Sequence, residues 1–355
     1  MYDVIALGEL LIDFAAKETD ADGYPTMKAN LGGAPGNFLA TLNKYGMKTA
    51  FLGKVGDDAF GKLLLKTFEK AGIETKGILT DPSVFTTLAF VTFSQEGDRS
   101  FSFARKPGAD TRLSFEEIDL TMIDEASVFH FGTLSLTDDP VRTATKKCVE
   151  YAKEHGKLIT FDPNLRLPLW ETTDAAKEQI LWGLAHADVV KISDEEMEFL
   201  WGITDEKEAA EKLLDEFGIR LAMVTMGPKG AYLANQNGAA YAKCPKAKPI
   251  DTTGAGDIFG GSAVSRLLKT GKAPEELSTE ELGLSVSSPA QRQASPRHSR
   301  AGARVFRRKR RFWTGCKERQ IRIFIEILLY TSSRSRYNSN VRAAGPDGQA
   351  AMTIL

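Results

Sequence analysis

The stretch Asp251-Thr252-Thr253-Gly254-Ala255-Gly256-Asp257 is the most informative feature of this sequence. Its small residues let the backbone approach a ligand closely, and the apolar helical pattern that starts at Ile258 leaves unpaired N–H groups at the helix start. Such groups form an anion site, which suits the charge that develops on a phosphoryl group during transfer. Asp257 stands at the mouth of this site, where a carboxylate can accept the proton of an attacking hydroxyl. A tight turn whose Asp caps a helix is the alternative interpretation.

A second glycine-rich stretch, Gly32-Gly33-Ala34-Pro35-Gly36-Asn37, precedes another helical pattern. The paired glycines permit close backbone approach, and the amide of Asn37 offers both a donor and an acceptor. These properties suit a polyhydroxylated ligand, although an ordinary turn would have the same composition. Upstream, the apolar run Val4–Leu7 fits a first central strand, and Asp13 follows it within an apolar frame.

A β-hairpin is predicted where Thr87–Phe93 and Ser100–Phe103 alternate apolar and polar residues around Gly97-Asp98. Because this hairpin differs from the strand–helix units around it, we expect a small antiparallel lid. Arg105 follows the second strand of the hairpin directly. It is either a clamp for a substrate or, as the residue taken alone favours, a solvated surface charge.

From residue 128 onward, predicted strands and helices alternate regularly. The strands are Val128–Phe131, Lys157–Phe161, Val189–Ile192 and Leu221–Thr225, and the helices are Pro140–His155, Thr173–Ala185 and Glu206–Phe217. This alternation predicts right-handed βαβ units and a parallel sheet covered by helices on both faces.

Ligands bind beyond the carboxyl ends of the strands in such sheets. Polar clusters follow three of the predicted strands, namely Asp162–Arg166, Ser193–Glu196 and Met226–Gly230. Together with the Gly-Ala-Gly-Asp turn they predict one shared site. The sequence contains no Gly-x-x-x-x-Gly-Lys-Ser/Thr motif and no Gly-x-Gly-x-x-Gly after the first strand, which argues against a P-loop enzyme and a nicotinamide-binding domain.

The composition is that of an ordinary soluble protein, with 42% hydrophobic and 26% charged residues in a chain of 355. The three cysteines are widely spaced, so neither a disulfide framework nor a thiolate zinc site is expected. The start of the chain lacks the basic region of a signal peptide, and no apolar run approaches the roughly 20 residues of a membrane span. We therefore expect a cytoplasmic protein without a membrane partner.

The two glycine-rich stretches resemble the two signatures of the ribokinase-like (PfkB) carbohydrate kinases. Within that family, Phe103-Ala104-Arg105 with Pro107-Gly108-Ala109-Asp110 resembles bacterial and plant fructokinases, as do Phe161–Trp170 and Lys191–Glu196. The resemblance runs from Met1 to about Leu282. It implies a ribokinase-like three-layer α/β/α domain over residues 1–284, with a central, mainly parallel sheet and lid strands within about 10–32 and 84–111.

The activity that the resemblance implies is ATP-dependent phosphorylation of the 6-hydroxyl of D-fructose. Asp257 would be the general base, and the N–H groups of Gly254, Ala255 and Gly256 would form the anion hole. A kinase for another sugar or a sugar acid, such as 2-keto-3-deoxygluconate, stays open because a cation at Arg105 suits both. A folded but catalytically impaired sugar-binding remnant is the third alternative.

The resemblance also implies roles for other residues. Glu196 would bind Mg²⁺ indirectly. Many relatives have Asn-x-x-Glu at the position where this chain has Ser193-Asp194-Glu195-Glu196. Asp251 and Thr253 match positions at which some relatives bind a monovalent cation such as K⁺. Lid strands often pair between subunits in this family, so a homodimer is an expectation. The remaining matches are Asp13, Gly32, Gly33, Asn37, Arg105, Asn164 and Arg166 for the sugar side and Lys191, Ser193, Thr225, Gly227 and Gly230 for the nucleotide.

The composition changes abruptly near Gly283. Residues 285–355 hold 15 Lys and Arg against three acidic residues, which gives them a net charge of +12 and leaves −13 for residues 1–284. The family typically has Phe-Ala-(Asn/Cys)-Ala-Ala-(Ala/Gly) and a Thr-Thr in this region, and Ser285–Arg300 does not show them. Residues 285–355 are therefore predicted to be an aberrant basic tail.

A frameshift near Leu284 would explain the tail. Codon degeneracy allows Ser285 and the residues after it to be encoded by DNA whose shifted frame reads Arg-Leu-Phe-Ala-Cys-Ala-Ala-Ala-Ser-Leu-Ser-Thr-Thr. Resequencing the gene tests this hypothesis. The competing interpretation is a basic arm that binds nucleic acid, because Arg304–Arg311 contains five Arg and one Lys. The near-neutral whole chain does not favour a nucleic acid partner.

Overall fold

The computed structural model describes residues 1–93, 99–244 and 254–284. All of these belong to one compact unit, Met1–Lys246 together with Thr253–Ser287. The second unit, Ala247–Thr252 with Ser288–Leu355, lies outside the described residues. The Gly97-Asp98 turn, Asp251, Thr253 and the basic tail lie outside them as well. The predicted domain boundary near residue 284 therefore stays a prediction.

Strands and helices alternate along most of the described chain. The strands are β1 (Tyr2–Leu7), β2 (Leu11–Thr19), β3 (Pro25–Gly32), β4 (Thr49–Gly56), β5 (Ile78–Asp81), β6 (Leu88–Phe93), β7 (Arg99–Ala104), β8 (Ala126–Gly132), β9 (Leu158–Asp162), β10 (Val189–Ser193), β11 (Leu221–Thr225), β12 (Ala231–Asn235) and β13 (Gly238–Ala242). The α-helices are α1 (Ala34–Lys44), α2 (Ala59–Ala71), α3 (Thr121–Asp124), α4 (Val141–Glu154), α5 (Thr173–His186), α6 (Asp194–Trp201), α7 (Glu206–Phe217), α8 (Ala255–Thr270) and α9 (Thr279–Leu284).

The main sheet has nine strands in the order β13-β12-β11-β10-β9-β8-β1-β4-β5. Strands β5, β4, β1, β8, β9, β10 and β11 pair in parallel with their neighbours, which confirms the prediction of a mainly parallel sheet. At one edge β12 runs antiparallel to both β11 and β13. This edge hairpin was not predicted.

Helices cover both faces of the main sheet, because its strands carry apolar side chains on both sides. On one face α4, α5 and α7 pack on the sheet around Phe129, Phe131 and Ile159. On the other face α1 and α2 pack around Phe51 and Val128, and α8 continues this layer over β10 to β13. The result is the expected three-layer α/β/α arrangement.

The remaining four strands form a separate lid sheet in the order β3-β2-β6-β7. It consists of two antiparallel pairs, β2 with β3 and β6 with β7, as the hairpin prediction required. The two pairs are joined in parallel through β2 and β6, so the lid sheet is antiparallel within each pair and parallel between them. The reason is that β2 and β6 are each the first strand of a pair and leave the main body side by side in the same direction.

Helices in the described part of the chain are all too short or too polar to cross a lipid bilayer.

Candidate active site

The carboxyl ends of the neighbouring parallel strands β9 and β10 lie beside the start of α8. Asp162 ends β9, Lys191 lies in the neighbouring strand β10, and the Lys191 Nζ donates to Asp162 Oδ1 at 3.0 Å. Both side chains are buried. The lysine amine also lies against the first turn of α8, because a Cβ added at Gly256 would stand 3.2 Å from Nζ. Lys191 therefore connects the strand ends to the Gly-Ala-Gly-Asp turn.

Asp257 lies in the first turn of α8, and the second glycine-rich stretch reaches it directly. Asn37, in α1, donates from Nδ2 to Asp257 Oδ2 at 2.9 Å, although 220 residues separate the two. Burial raises the pKa of the Asp257 carboxyl above its usual value, while Asn37, Lys191 and Arg166 act in the opposite direction. The carboxylate is thus a stronger base than an exposed Asp and is held in one orientation.

The N-terminus of α8 is arranged to receive an anion. Gly254 precedes it with φ of 75°, in the left-handed region, and no side chain caps the helix. A side chain at Gly254 would be strained there and would also crowd Asn37, whose Nδ2 lies 3.3 Å from an added Cβ. The first N–H groups of this 16-residue helix are therefore available to a negatively charged ligand.

Negative charge is in excess around Lys191. Burial alone lowers the pKa of this lysine, but Asp162, Glu196 and Asp257 outweigh burial and raise it, so the amine stays protonated. Burial raises the pKa of Asp162 to about 7, and repulsion by Glu196 and Asp257 adds to the effect while Lys191 opposes it. One lysine does not neutralise three buried carboxylates, and a further cation would stabilise the set.

Glu196 is held by backbone groups on both of its carboxylate oxygens. Leu165 N donates to Oε1 at 2.9 Å and Ser193 N donates to Oε2 at 2.8 Å. Burial would raise the pKa of Glu196, but Lys191 and these hydrogen bonds outweigh it and lower it. Ser193 and Glu196 form a capping box at the start of α6, so the Ser193 hydroxyl accepts from Glu196 N. The side chains of Ser193 and Glu196 therefore also cap the N-terminus of α6.

The lid sheet supplies one wall of the site. Asp13 lies on β2 opposite Asn30 of β3, and Gly32 leaves room for its carboxylate, since a Cβ there would stand 2.6 Å from Asp13 Cγ. Phe101 of β7 lies under the guanidinium of Arg166, with 5.6 Å between the ring centroid and Cζ. Arg166 follows β9, so this contact joins the lid sheet to the strand ends.

Arg105 is not a solvated surface charge, and that interpretation was wrong. Its side chain is 2% exposed, because it passes from the end of β7 into the main body and not into solvent. Nε donates to Asp110 Oδ2 at 2.8 Å, Nη1 to Thr137 Oγ1 at 2.7 Å and Nη2 to the Leu134 carbonyl at 2.7 Å. Its role in binding sugar stays a prediction, with three of its five N–H groups engaged by protein.

Glu9 was not singled out from the sequence. It is 2% exposed, and its Oε1 accepts from Ala34 N at 2.8 Å, which fixes the turn into α1. Burial raises its pKa to about 7. Gly33, with φ of 108°, lies so close to Glu9 that a Cβ would collide with the Glu9 carbonyl. The signal available in the sequence was the position of Glu9, two residues after the buried strand β1.

The predicted nucleotide loop follows β11. Thr225 ends this strand and donates from Oγ1 to the Ile192 carbonyl at 3.3 Å. Gly227 and Gly230 both have positive φ, and a Cβ at Gly230 would collide with the Ala242 carbonyl of β13. Asn164 has φ of 45°, a conformation that Asn tolerates better than most residues. The roles of these residues in binding stay predictions, and Asp251 and Thr253 lie outside the described residues.

Within residues 1–93, 99–244 and 254–284, no three His, Cys, Asp or Glu side chains form a cluster that could hold a metal by themselves. Mg²⁺ commonly takes one or two carboxylates and completes its shell with water and phosphate oxygens. The buried carboxylates around Lys191 fit that kind of site.

Residues 1–281 match the family model described as pfkB family carbohydrate kinase. The chain is similar to Fructokinase-2 of Solanum lycopersicum, with 40% identity over 270 residues, which is 75% of this chain and 81% of the relative.

Solved structures show the same fold. A Fructokinase with bound ATP from Xylella fastidiosa aligns with a TM-score of 0.71 and 27% identity, covering 81% of this chain and 90% of that one. A protein from E. coli assigned as a Ribokinase II, in complex with ATP and Mg²⁺, aligns with a TM-score of 0.70 and 26% identity, covering 81% and 91%. The ribokinase-like arrangement of a main sheet and a small lid sheet is therefore shared with these structures.

Proposed function

This chain belongs to the pfkB family of carbohydrate kinases, and we propose that it transfers the γ-phosphoryl group of ATP to the 6-hydroxyl of D-fructose. The observation that carries the proposal is the hydrogen bond from Asn37 to Asp257, which joins the two glycine-rich stretches at the uncapped start of α8. A carboxylate base, an anion-binding helix end and a lid sheet then surround one space. Phosphoryl transfer needs this kind of positioning and charge stabilisation more than covalent chemistry.

Asp257 is the general base in this proposal. Burial raises its pKa, which increases its affinity for the proton of the attacking hydroxyl. The hydrogen bond from Asn37 to Oδ2 fixes the orientation of the carboxylate that accepts this proton. Asp13 on the lid, Gly32 and Gly33 at the turn into α1, Asn37, Arg105, Asn164 and Arg166 hold the sugar.

The transferring phosphoryl group binds at the start of α8. The N–H groups of Gly254, Ala255 and Gly256 donate to its oxygens, where charge develops in the transition state. Lys191 stands beside Gly256, and its raised pKa keeps a positive charge next to that position. Lys191, Ser193, Thr225, Gly227 and Gly230 form the nucleotide side of the site.

Relatives of this fold bind ATP together with Mg²⁺, and the residues here fit the ion. Glu196, whose two carboxylate oxygens each accept a backbone hydrogen bond, would hold the ion through water. When bound, the ion would neutralise phosphate charge. A K⁺ ion at Asp251 and Thr253 and a dimer formed through the lid sheet remain expectations from the family resemblance.

A neutral sugar fits the charge balance better than a sugar acid. The positive charge of Arg105 is already met by Asp110 at 2.8 Å and by Asp138 at 3.7 Å. A substrate carboxylate would approach a guanidinium whose charge is compensated, and it would also approach Asp13 and Asp257. Fructose is uncharged and avoids this repulsion, which favours it over 2-keto-3-deoxygluconate.

Fructose-dependent release of ADP by the full chain, with Mg-ATP in excess, tests the proposal. We expect Asp257→Asn to lower kcat by about 10²–10⁴-fold, because the general base is lost while the hydrogen bond from Asn37 can persist. The thermal stability of the Asp257→Asn variant should not fall, because the substitution removes a buried charge.

Binding of fructose by the folded variant controls for its structure. Equal activity of Asp257→Asn and the parent chain would contradict the assignment of the base. Release that depends on 2-keto-3-deoxygluconate and not on fructose would contradict the choice of sugar.

A further inference from the structure

Asp110 lies where the four strands of the lid sheet join the main body. Strands β2 and β6 begin within two residues of Glu9 and Thr87, and β3 and β7 end within two residues of Ala34 and Arg105. The Asp110 carboxylate accepts hydrogen bonds from Thr87 Oγ1 and from Arg105 Nε. One side chain therefore ties the start of β6 to the end of β7.

Further hydrogen bonds join these stems to each other and to the main body. Arg105 reaches the segment after β8, through Thr137 Oγ1 and the Leu134 carbonyl, each at 2.7 Å. Ile12 N donates to the Thr87 carbonyl at 3.1 Å, which links the stem of β2 to the stem of β6. We call the side chains of Glu9, Thr87, Arg105, Asp110 and Thr137 the stem cluster.

The stem cluster is buried, and its burial limits how much it can add to the stability of the fold. Thr87, Arg105 and Asp110 are 1%, 4% and 3% exposed. A buried ion pair adds little stability compared with apolar side chains of the same volume, because both charges lose their hydration. A buried ion pair does fix the relative orientation of the strands that carry it, since its hydrogen bonds are satisfied in only one arrangement of those strands. The stem cluster is therefore suited to fixing an orientation.

We propose that Asp110 is a positioning residue, which acts through Arg105 and Thr87 to hold the lid sheet, and with it Asp13, at the angle over Asp257 that binds the sugar. This inference rests on the proposed function, because it makes sugar affinity the property that the lid sheet controls. Nucleotide affinity is not included, since the residues proposed for the nucleotide lie in β10 and β11 and in the loop after β11, and not on the lid sheet.

Asp110→Asn is the variant that tests the proposal. It preserves the shape of the side chain, but its NH₂ group cannot accept from Arg105 or Thr87, so the guanidinium loses the nearer of its two carboxylate partners and keeps Asp138 at 3.7 Å. We expect the KM for fructose to rise at least about tenfold while the KM for ATP changes less than about twofold. Amide hydrogen exchange in β6 and β7 of the ligand-free chain should also become faster.

Glu275→Gln is the matched control. Glu275 accepts from Arg220 Nε and Nη2, both at 2.7 Å, so it also breaks an Arg–carboxylate pair, at the amino end of β11 and away from the lid sheet. It should change neither the fructose KM nor exchange in β6 and β7. Thr87→Val, which removes one hydrogen bond to Asp110, supplies a milder variant if Asp110→Asn does not fold, and its fructose KM should rise about two- to fivefold.

Two results would overturn the proposal. One is an equal rise in both KM values, and the other is unchanged exchange in the lid strands of the folded variant. If the parent chain shows no fructose-dependent ADP release, the proposed function fails, and exchange in β6 and β7 alone then decides the role of Asp110.

Discussion

His130 is a buried histidine that the proposed reaction does not use. It lies in β8 with its ring stacked on Phe38, at 3.8 Å between centroids, and its Nδ1 lies 2.9 Å from Thr160 Oγ1. Burial lowers its pKa to about 3, and the nearby charge of Lys191 acts in the same direction. The ring is therefore neutral in the folded protein at neutral and mildly acidic pH.

This depressed pKa makes stability depend on pH. An unfolded histidine has a pKa of about 6.5, so between about pH 6.5 and pH 3 the unfolded chain binds a proton that the folded chain does not. The contribution of His130 to the free energy of unfolding therefore falls as the pH falls through this window. We expect the parent chain to lose about 2 kcal/mol more than His130→Gln between about pH 7 and pH 5, measured by urea unfolding. Glu9 has the opposite slope but is present in both proteins. Parallel pH profiles of the two proteins would contradict the prediction.

Helix α8 can place Asp257 beside Asn37 because Gly261, the second of two consecutive glycines, lets the helix approach α1 closely. A Cβ added at Gly261 would stand 2.8 Å from the Phe38 carbonyl oxygen, whereas one added at Gly260 would have no neighbour nearer than 3.7 Å. We expect Gly261→Ala to lower the free energy of unfolding by about 1–3 kcal/mol, since α8 must move away from α1.

Gly260→Ala is the matched control in the same helix. It should be neutral or stabilising by up to about 1 kcal/mol, because alanine favours the helix over glycine. Urea unfolding measures the free energy of unfolding of both variants. Equal changes in the two would contradict the inference that close packing of α8 on α1 requires glycine at position 261. Fructose-dependent activity should fall only in Gly261→Ala, in which the first turn of α8 shifts relative to Asn37.

Elements with strong periodicity could be predicted from the sequence, and α7 and β11 have the predicted bounds, Glu206–Phe217 and Leu221–Thr225. The edge hairpin of β12 and β13 could not, because its alanine-rich strands carry little alternation. The contact of Asn37 with Asp257 was reachable only through the two signatures, since nothing local links residues 220 apart. The buried state of Arg105 depends on Asp110, Leu134 and Thr137, whose convergence only the folded chain reveals.

The net charge of the chain changes from negative to positive near residue 284, close to the point where the family match ends. The pfkB family model covers residues 1–281, whereas the basic residues are concentrated from residue 285 onward. The layer formed by α8 ends in α9, where Leu282 packs with Leu233 and Leu267 against the edge strands. In a kinase of this family the next segment should continue that layer beside the nucleotide. A frameshift near Leu284 remains our hypothesis for why residues 285–355 carry no such pattern.

The frameshift hypothesis predicts that nucleotide binding is weakened and that sugar binding is not. Because the missing segment is expected beside the nucleotide and not beside the sugar, the KM for fructose should be ordinary while the KM for ATP is high. Replacing residues 285–355 by the shifted-frame product of the resequenced gene should lower the KM for ATP by about tenfold or more, which corresponds to about 1.4 kcal/mol of recovered binding. A chain ending at Leu284 is the control and should resemble the parent chain. If that truncation instead abolished salt-sensitive binding of DNA by the parent, the tail would be a nucleic acid-binding arm and the frameshift hypothesis would fail.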